Sequence, residues 1–284
     1  MAVSARQKID MLQQALITGA DGMVGGYVDF GYRTDHKTLD VTDLDAVRKV
    51  TAARRPPLII HLAAATDLAR CEREPDYAYR VNTVGAYNVA LAAQEIGAKL
   101  VYVSTSAVFD GTKDGPYTED DTPNPLSVYG HSKYLGELAV RGMLSDYLIV
   151  RITWVFGGWQ ANDKKFVGKI LKQLKEPVIT VVADKRGSPT YGKDAVNGIK
   201  WLVENNKRGI FHMSNAGAPT RADVVREIVA ITGSRAEINE TDESVFTVPY
   251  QSGKNESLKS KVSYMRPWQD ALREYIKTEW TGVI

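Results

Sequence analysis

A glycine-rich turn and the segment that follows it stand too close together for an ordinary strand–helix–strand unit. That spacing constrains this chain more than any other feature. The run Thr18-Gly19-Ala20-Asp21-Gly22-Met23-Val24-Gly25 directly follows the strand-like segment Ala15-Leu16-Ile17-Thr18. Glycines at this spacing permit a tight turn and let the backbone approach a pyrophosphate. The start of a following helix would then offer its free N–H groups to the anion. Yet Asp40, in Leu39-Asp40-Val41-Thr42-Asp43, comes only 15 residues after Gly25. A strand–helix–strand unit takes about 30 residues. The pyrophosphate end, Gly19 to Gly25, therefore reads as intact and the adenosine end as cut short, with no normal second strand expected there. On its own, such a loop is also what a glycine-rich turn without ligand looks like.

The rest of the chain alternates short apolar runs with helical patterns. Strand-like runs centre on Leu16, Ile60, Val101, Val150, Val181 and Phe211; helix-like segments cover Asp76–Ile96, Tyr129–Leu144 and Asp194–Asn205. Continuous apolar strands alternating with helices imply an α/β fold, a Rossmann-type doubly wound parallel sheet buried on both faces. The texture loosens after Gly157. We therefore expect residues 1–157 to form the nucleotide-binding half, with a shortened first unit, and residues 158–284 to be mainly substrate-binding, with some elements returning to the sheet. With 284 residues and 44% hydrophobic content, a full core is within reach.

Composition excludes several function classes. A net charge of +2 with interspersed signs argues against nucleic-acid binding. The single Cys71 excludes an internal disulfide, and four scattered histidines give no zinc-ligand spacing. No apolar run approaches the roughly 18 residues of a membrane helix. The N-terminal MAVSARQKIDMLQQ lacks a signal peptide's apolar stretch and reads as a frayed helix or tail, so a cytoplasmic location is the default expectation.

Two further motifs carry chemistry. In Tyr129-Gly130-His131-Ser132-Lys133, the tyrosine and lysine lie one helical turn apart on one face. A nearby ammonium favours the phenolate, lowering the tyrosine pKa and making it a better proton donor to a ketone that receives hydride. An ordinary surface Tyr–Lys pair has the same spacing. Ser104-Thr105-Ser106 closes a strand-like run, where hydroxyls reach ligands bound beyond strand ends or simply cap a turn.

Glycine loop, hydroxyl at a strand end, then Tyr-x-x-x-Lys about 24 residues after Thr105: this order resembles the extended short-chain dehydrogenase/reductase superfamily. Matching segments run along nearly the whole chain: HLAAATD (His61–Asp67), Asn82 in YRVNTVGAYNVA, NPLSVYGHSKYLGE, RITWVFG and GSPTY. Within the superfamily, STSAVFDG, Trp154 and GSPTY look most like the dTDP-4-dehydrorhamnose reductases. The resemblance implies NAD(P)H-dependent reduction of the C4 ketone of a nucleotide-linked 6-deoxy sugar. Tyr129 would give the proton, Thr105 would orient the oxygen, and Lys133 would bind the nicotinamide ribose and tune Tyr129. The cofactor, NADP(H) or NAD(H), would lie along Gly19, Asp21, Gly22, Met23 and Val24, then Ala63, Ala64 and Ala65. Asp40 and Val41 would border the adenine. Ser106, Trp154, Pro189 and Thr190 would face the substrate, Trp154 by stacking on the sugar.

The chain departs from this family in three places. Ser106-Ala107 replaces an Asp-Tyr that lines the sugar pocket. Ser252-Gly253 replaces an Arg-Pro that faces the nucleotide diphosphate; Lys254 is one substitute for that charge, though a point charge is not a bidentate guanidinium, and Lys164, Lys165 or Arg186 are others. The shortened first unit leaves Asp40 as the candidate for the adenosine ribose, but Thr42 and Asp45 there also match a helix-capping pair. Arg33 and Lys37 lie in the shortened region, where either would favour a 2′-phosphate or simply be solvated. No glutamate set for a metal follows GSPTY, so none is expected; a homodimer is possible. Two alternatives stand beside the reductase. One is an epimerase or dehydratase of the same superfamily. The other is a non-catalytic NADP-binding regulatory subunit, the role of one family branch, the regulatory subunit of methionine adenosyltransferase.

Overall fold

The computed structural model describes residues 10–281. The expected N-terminal helix or tail falls largely outside them. Residues 10–13 are helical, and Leu12 is buried in the core.

Strands β1 (Leu16–Thr18), β2 (Tyr32–Arg33), β3 (Leu58–His61), β4 (Lys99–Thr105) and β5 (Tyr147–Ile152) join the strand Gly209–His212 in one six-stranded sheet. The order across it is Gly209–His212, β5, β4, β3, β1, β2, and every pair is parallel. Successive side chains on a strand point to opposite faces. Ile17, Ile60, Val101 and Val150 therefore pack on one side against Val196, Ile199 and Leu202 of helix Gly192–Glu204. Leu16, Ile59, Leu100 and Ile149 pack on the other, against Val89 and Ala93 of helix Gly85–Ile96 and Val140 of helix Val128–Met143. Burial on both faces explains why the strands read as uninterrupted apolar runs.

A second cluster forms a separate lobe. Helices Phe166–Gln173, Arg221–Thr232 and Trp268–Glu279 enclose Ile170, Ile179, Val181, Ile228, Tyr275 and Trp280. The apolar run around Val181 belongs here. It forms strand Val178–Val182, which pairs with Glu237–Thr241 and never joins the main sheet. Two short parallel pairs place residues of the cleft: Val155–Phe156 with Thr190–Tyr191, and Arg186–Gly187 with Asn255–Glu256.

The short first unit is resolved in an unexpected way. The second strand survives, as two residues in register with β1; what has gone is the helix. Between β1 and β2 the chain makes only a three-residue 3-10 turn, Gly25–Tyr27, because the intervening residues suffice for a turn and a return. The capping expectation shifts by one residue: Asp43, not Thr42, caps helix Leu44–Arg54 by accepting from Ala46 N–H.

Tyr27 ties this turn to the far lobe. Its hydroxyl donates to the Glu279 carboxylate at 2.7 and 2.8 Å and accepts from Gly158 N–H at 2.6 Å. Glu279 also accepts from Tyr191 hydroxyl and, at 2.8 Å, from Trp159 N–H. One carboxylate thus satisfies donors from three segments. Glu279→Ala should lower the unfolding free energy by about 2–4 kcal/mol in urea titrations, and Tyr27→Phe by about 1–2 kcal/mol; equal stability of all three proteins would show that this junction carries no load.

Candidate active site

The carboxyl ends of β1, β3, β4 and β5 converge on one cleft, as ligand sites do in open parallel sheets. The glycine loop leaves β1 here. Gly19 has φ +68°, and a Cβ at this position would lie 2.5 Å from Ala63 N, so only glycine fits. The N–H groups of Asp21, Met23 and Val24 make no hydrogen bond among the described residues, whereas Ala20, Gly22 and Gly26 donate within the fold. Free donors on a glycine turn suit a pyrophosphate. The expected helix N-terminus behind them is only the 3-10 turn. Arg33, at the end of β2, reaches back and donates to Ala20 O at 3.0 Å.

Asn82 braces the loop after β3. Its side chain donates to Ala65 O and Ser132 Oγ and accepts from Ala65 N–H, at 2.8–3.1 Å. Ala65 is buried with both backbone groups engaged, while Ala63 and Ala64 are partly open. Asp40 is exposed and its carboxylate accepts from Thr42 N–H and hydroxyl, while Val41 is buried with its carbonyl on Asn88. Asp35, which sequence reasoning overlooked, follows β2 more closely, but it is tied into its own turn by Lys37 and Thr38.

Thr105 ends β4 and accepts from Ala107 N–H at 3.1 Å, leaving its O–H free to donate. Helix Val128–Met143 begins at Ser127, which caps Gly130 N–H, so Tyr129 sits in the first turn. A Cβ on Gly130 would lie 2.1 Å from Ala107 O; this close approach brings Tyr129 beside Thr105. Lys133 is buried one turn on, its Nζ donating to Val103 O at 2.7 Å and lying 4.1 Å from the Tyr102 ring centroid.

Ser106 is buried in the turn Ser106–Val108. Trp154 stands at the exit of β5 with φ +45°, a strained conformation for a bulky residue, and its indole N–H donates to Glu256. Its ring lies against Gly187, with the Arg221 guanidinium 5.3 Å from the ring centroid, so it is not the bare platform the sequence suggested. Pro189 and Thr190 are buried. Thr190 spends its hydroxyl on Thr153 O at 2.6 Å and its N–H on Trp154 O, so it buttresses Trp154 from behind instead of lining the cleft.

With this geometry, the comparisons with known proteins become interpretable. The family described as RmlD substrate binding domain matches residues 13–280. The chain belongs to that family. It is 34% identical to a dTDP-4-dehydrorhamnose reductase of Mycolicibacterium smegmatis over 95% of this chain and 88% of that protein. It is 33% identical to the spore coat polysaccharide biosynthesis protein SpsK of Bacillus subtilis, over 94% and 98%. Among solved structures, the dTDP-4-dehydrorhamnose reductase of Bacillus anthracis in complex with NADP superposes with a TM-score of 0.87 at 33% identity, covering 93% of this chain and 98% of that one.

The electrostatics of this RmlD-family site differ from the sequence expectation. Burial pushes the Tyr129 phenol up to about 12; the Thr105 hydroxyl pulls it down, and Glu256 adds to the rise. The lysine does not lower it in this arrangement, because its ammonium is turned to Val103 O and Tyr102. Lys133 is itself shifted from 10.5 to about 7 by burial, with Glu137 opposing. His61 at the end of β3 is driven down to about 3 by burial and by Lys133; it is neutral, with Nδ1 2.7 Å from Thr18 Oγ1. Sequence reasoning also missed Glu256 and Arg221, which only tertiary folding brings to the cleft. Among the described residues, no three His, Cys, Asp or Glu side chains converge as a metal site, and no helix is long and apolar enough to cross a membrane.

The lysine shift has a sign that can be tested. Between about pH 7 and 10.5 the unfolded chain binds a proton that the folded chain does not. The penalty of folding around Lys133 is therefore full below about 7 and relieved as pH rises. Lys133→Met should raise Tm by about 2–4 °C near neutrality, and the gain should shrink toward pH 10. A lowered Tm across the whole range would contradict the burial argument.

Proposed function

We propose that this RmlD-family chain reduces the C4 ketone of a nucleotide-linked 4-keto-6-deoxy sugar, with NADPH preferred over NADH. The observation that carries the reading is the placement of Thr105, Tyr129 and Lys133 around one opening at the ends of β4 and helix Val128–Met143, next to a glycine loop with unsatisfied donors. The names of its relatives, reached over nearly full length, support the same substrate class. When bound, the nicotinamide supplies the hydride. Thr105 donates a hydrogen bond to the ketone oxygen and holds it against Tyr129. The phenol transfers its proton to that oxygen as negative charge develops there, and Lys133, one turn along the same helix, holds the nicotinamide ribose. Trp154, among the residues that look most like the reductases, favours plain reduction over the dehydratase reading.

The cofactor preference rests on Arg33. Its exposed guanidinium caps the carbonyls of the glycine loop, and the nearby acid, Asp35, is consumed by its own turn. That combination favours a 2′-phosphate over a free ribose hydroxyl pair. Residues 1–157 supply the cofactor side, with helix Gly192–Glu204 and strand Gly209–His212 added from the later half; the remainder covers the substrate. Exposed Val84, Tyr87, Leu135 and Leu138, on or beside the paired helices Gly85–Ile96 and Val128–Met143, support a homodimer. A cytoplasmic location completes the reading.

Incubation with dTDP- and UDP-4-keto-6-deoxyhexoses and either nicotinamide, followed at the reduced-cofactor absorbance, should show substrate-dependent NADPH consumption. Tyr129→Phe should remove most of it, about 10²-fold or more, with cofactor affinity unchanged. With Lys133 protonated to hold the nicotinamide ribose, kcat/KM should decline above about pH 7 as that charge is lost. Arg33→Ala should weaken NADPH about tenfold more than it weakens NADH. Binding of NADPH without turnover of any such sugar would instead favour the regulatory-subunit reading.

A further inference from the structure

We propose that Arg221 is the guanidinium that holds the diphosphate of the nucleotide sugar, replacing the arginine absent from the C-terminal segment; this rests on the function proposed above. That segment has no room to supply one. Ser252 is bound by Lys185, and Gly253 lies so close to Asp110 and Gly111 that a Cβ there would sit 2.2 Å from Asp110 O. The other cations considered are either occupied or outlying. Lys185 also pairs with Glu243, Lys254 with Asp184 at 3.2 Å, and Lys165 donates to Thr66 O at 3.1 Å. Lys164 and Arg186 are on the exposed surface.

Arg221 is in a different state. It opens helix Arg221–Thr232, with its guanidinium carbon 5.3 Å from the Trp154 ring centroid and 5.2 Å from that of Phe166. Among the described residues no carboxylate forms an ion pair with it, unlike Arg226 on the same helix, which pairs with Asp223 and Glu240. Its Nε is buried without a partner. An orphaned buried donor on a charged group is costly, and an anion in the cleft would satisfy it. Stacking on aromatic faces leaves the donor edge of a guanidinium free, which suits bidentate phosphate binding.

The location fits the chemistry of a hexose. Trp154 joins the two: its indole N–H holds Glu256, whose charge acts on Tyr129, and its ring carries the Arg221 guanidinium 5.3 Å from the centroid. In a pyranose, C4 and the anomeric C1 lie across the ring. A ketone held at Tyr129 and Thr105, with the ring beside Trp154, directs the C1 diphosphate toward Arg221.

Calorimetric titration of the full chain, saturated with NADPH, tests this directly. dTDP should bind the wild type more tightly than thymidine. Arg221→Met, which keeps the stem between the rings, should lose about 10- to 100-fold in dTDP affinity with thymidine unchanged, and Arg221→Lys should fall between. NADPH affinity equal to wild type and a Tm at or above it show that both variants are folded. With the sugar nucleotide, KM should rise by a similar factor and kcat stay within about threefold. Arg221→Met binding dTDP as tightly as wild type, while wild type still turns over the sugar nucleotide, overturns the assignment of Arg221 alone. A wild-type protein that binds neither dTDP nor UDP better than the nucleosides, and turns over no sugar nucleotide, overturns this inference together with the proposed function.

Discussion

A single buried ion pair sets the geometry of the site. Arg151 on β5 meets Glu137 on helix Val128–Met143 in a bidentate contact, Nε to Oε1 at 2.9 Å and Nη2 to Oε2 at 2.6 Å, with both side chains at 0–1% exposure. Taking two charges out of water costs several kcal/mol each, so this pair makes sense as a register device more than as a source of stability. It fixes the helix against the sheet. Glu137 stands one turn beyond Lys133 and opposes its loss of charge; three residues after Arg151, just past the end of β5, comes the strained Trp154. Tyr129, Lys133 and Trp154 are thereby referred to one rigid contact. Slippage by one turn of the helix would leave Glu137 facing apolar β5 and separate Tyr129 from Thr105.

The other end of the sheet shows what a dinucleotide loop requires at minimum. A helix behind the loop would contribute its macrodipole, roughly half a positive charge at the N-terminus. Here a 3-10 turn contributes little, and Arg33 brings a full charge to the loop carbonyls. The surface the helix would have covered is filled by Leu12, Val28 and Phe30, and the turn is anchored sideways through Tyr27 to Glu279 of the last helix. The sheet edge is closed by Arg54 stacked on Tyr32, 3.1 Å from the ring centroid. The result is a cofactor end that depends on the second lobe for its position, in contrast to a self-contained strand–helix–strand unit.

Legibility in the sequence followed the range of the interactions. The glycine loop, the Tyr-x-x-x-Lys turn and the main-sheet strands are local patterns, and each appears where the pattern put it. Val178–Val182 did not, because a buried strand reads alike whichever sheet it enters. The missing helix was visible as a length deficit, but the survival of a two-residue β2 was not, since two residues carry no periodicity. Thr190 was misread as lining the cleft because its role is decided by the carbonyl of Thr153, 37 residues away. Glu256 and Arg221 had no sequence signal at all: the first acts through Trp154 across 102 residues, and the second is defined by the absence of a partner.

Unfavourable features occur outside the cleft too: Trp159 beside Glu279 has φ +61°, and Trp280 Nε1 in the far lobe is buried without a partner. Around Glu279, donors and acceptors from three segments are matched, and the distant lobe closes over a continuous apolar cluster. At the cleft four stand together: Trp154 holds a left-handed backbone, Lys133 is buried at the edge of its charged range, loop N–H groups are free, and Arg221 Nε has no acceptor. Each costs stability in the free protein, and each is relieved or put to use by a negatively charged ligand or a developing oxyanion. A vestigial, merely structural homologue would have no reason to keep all four in one cleft, since ordinary substitutions there would stabilise it. Their grouping around Tyr129 and Trp154 is what the proposed reaction asks of the cleft: acceptors of negative charge on the glycine loop and beside the indole.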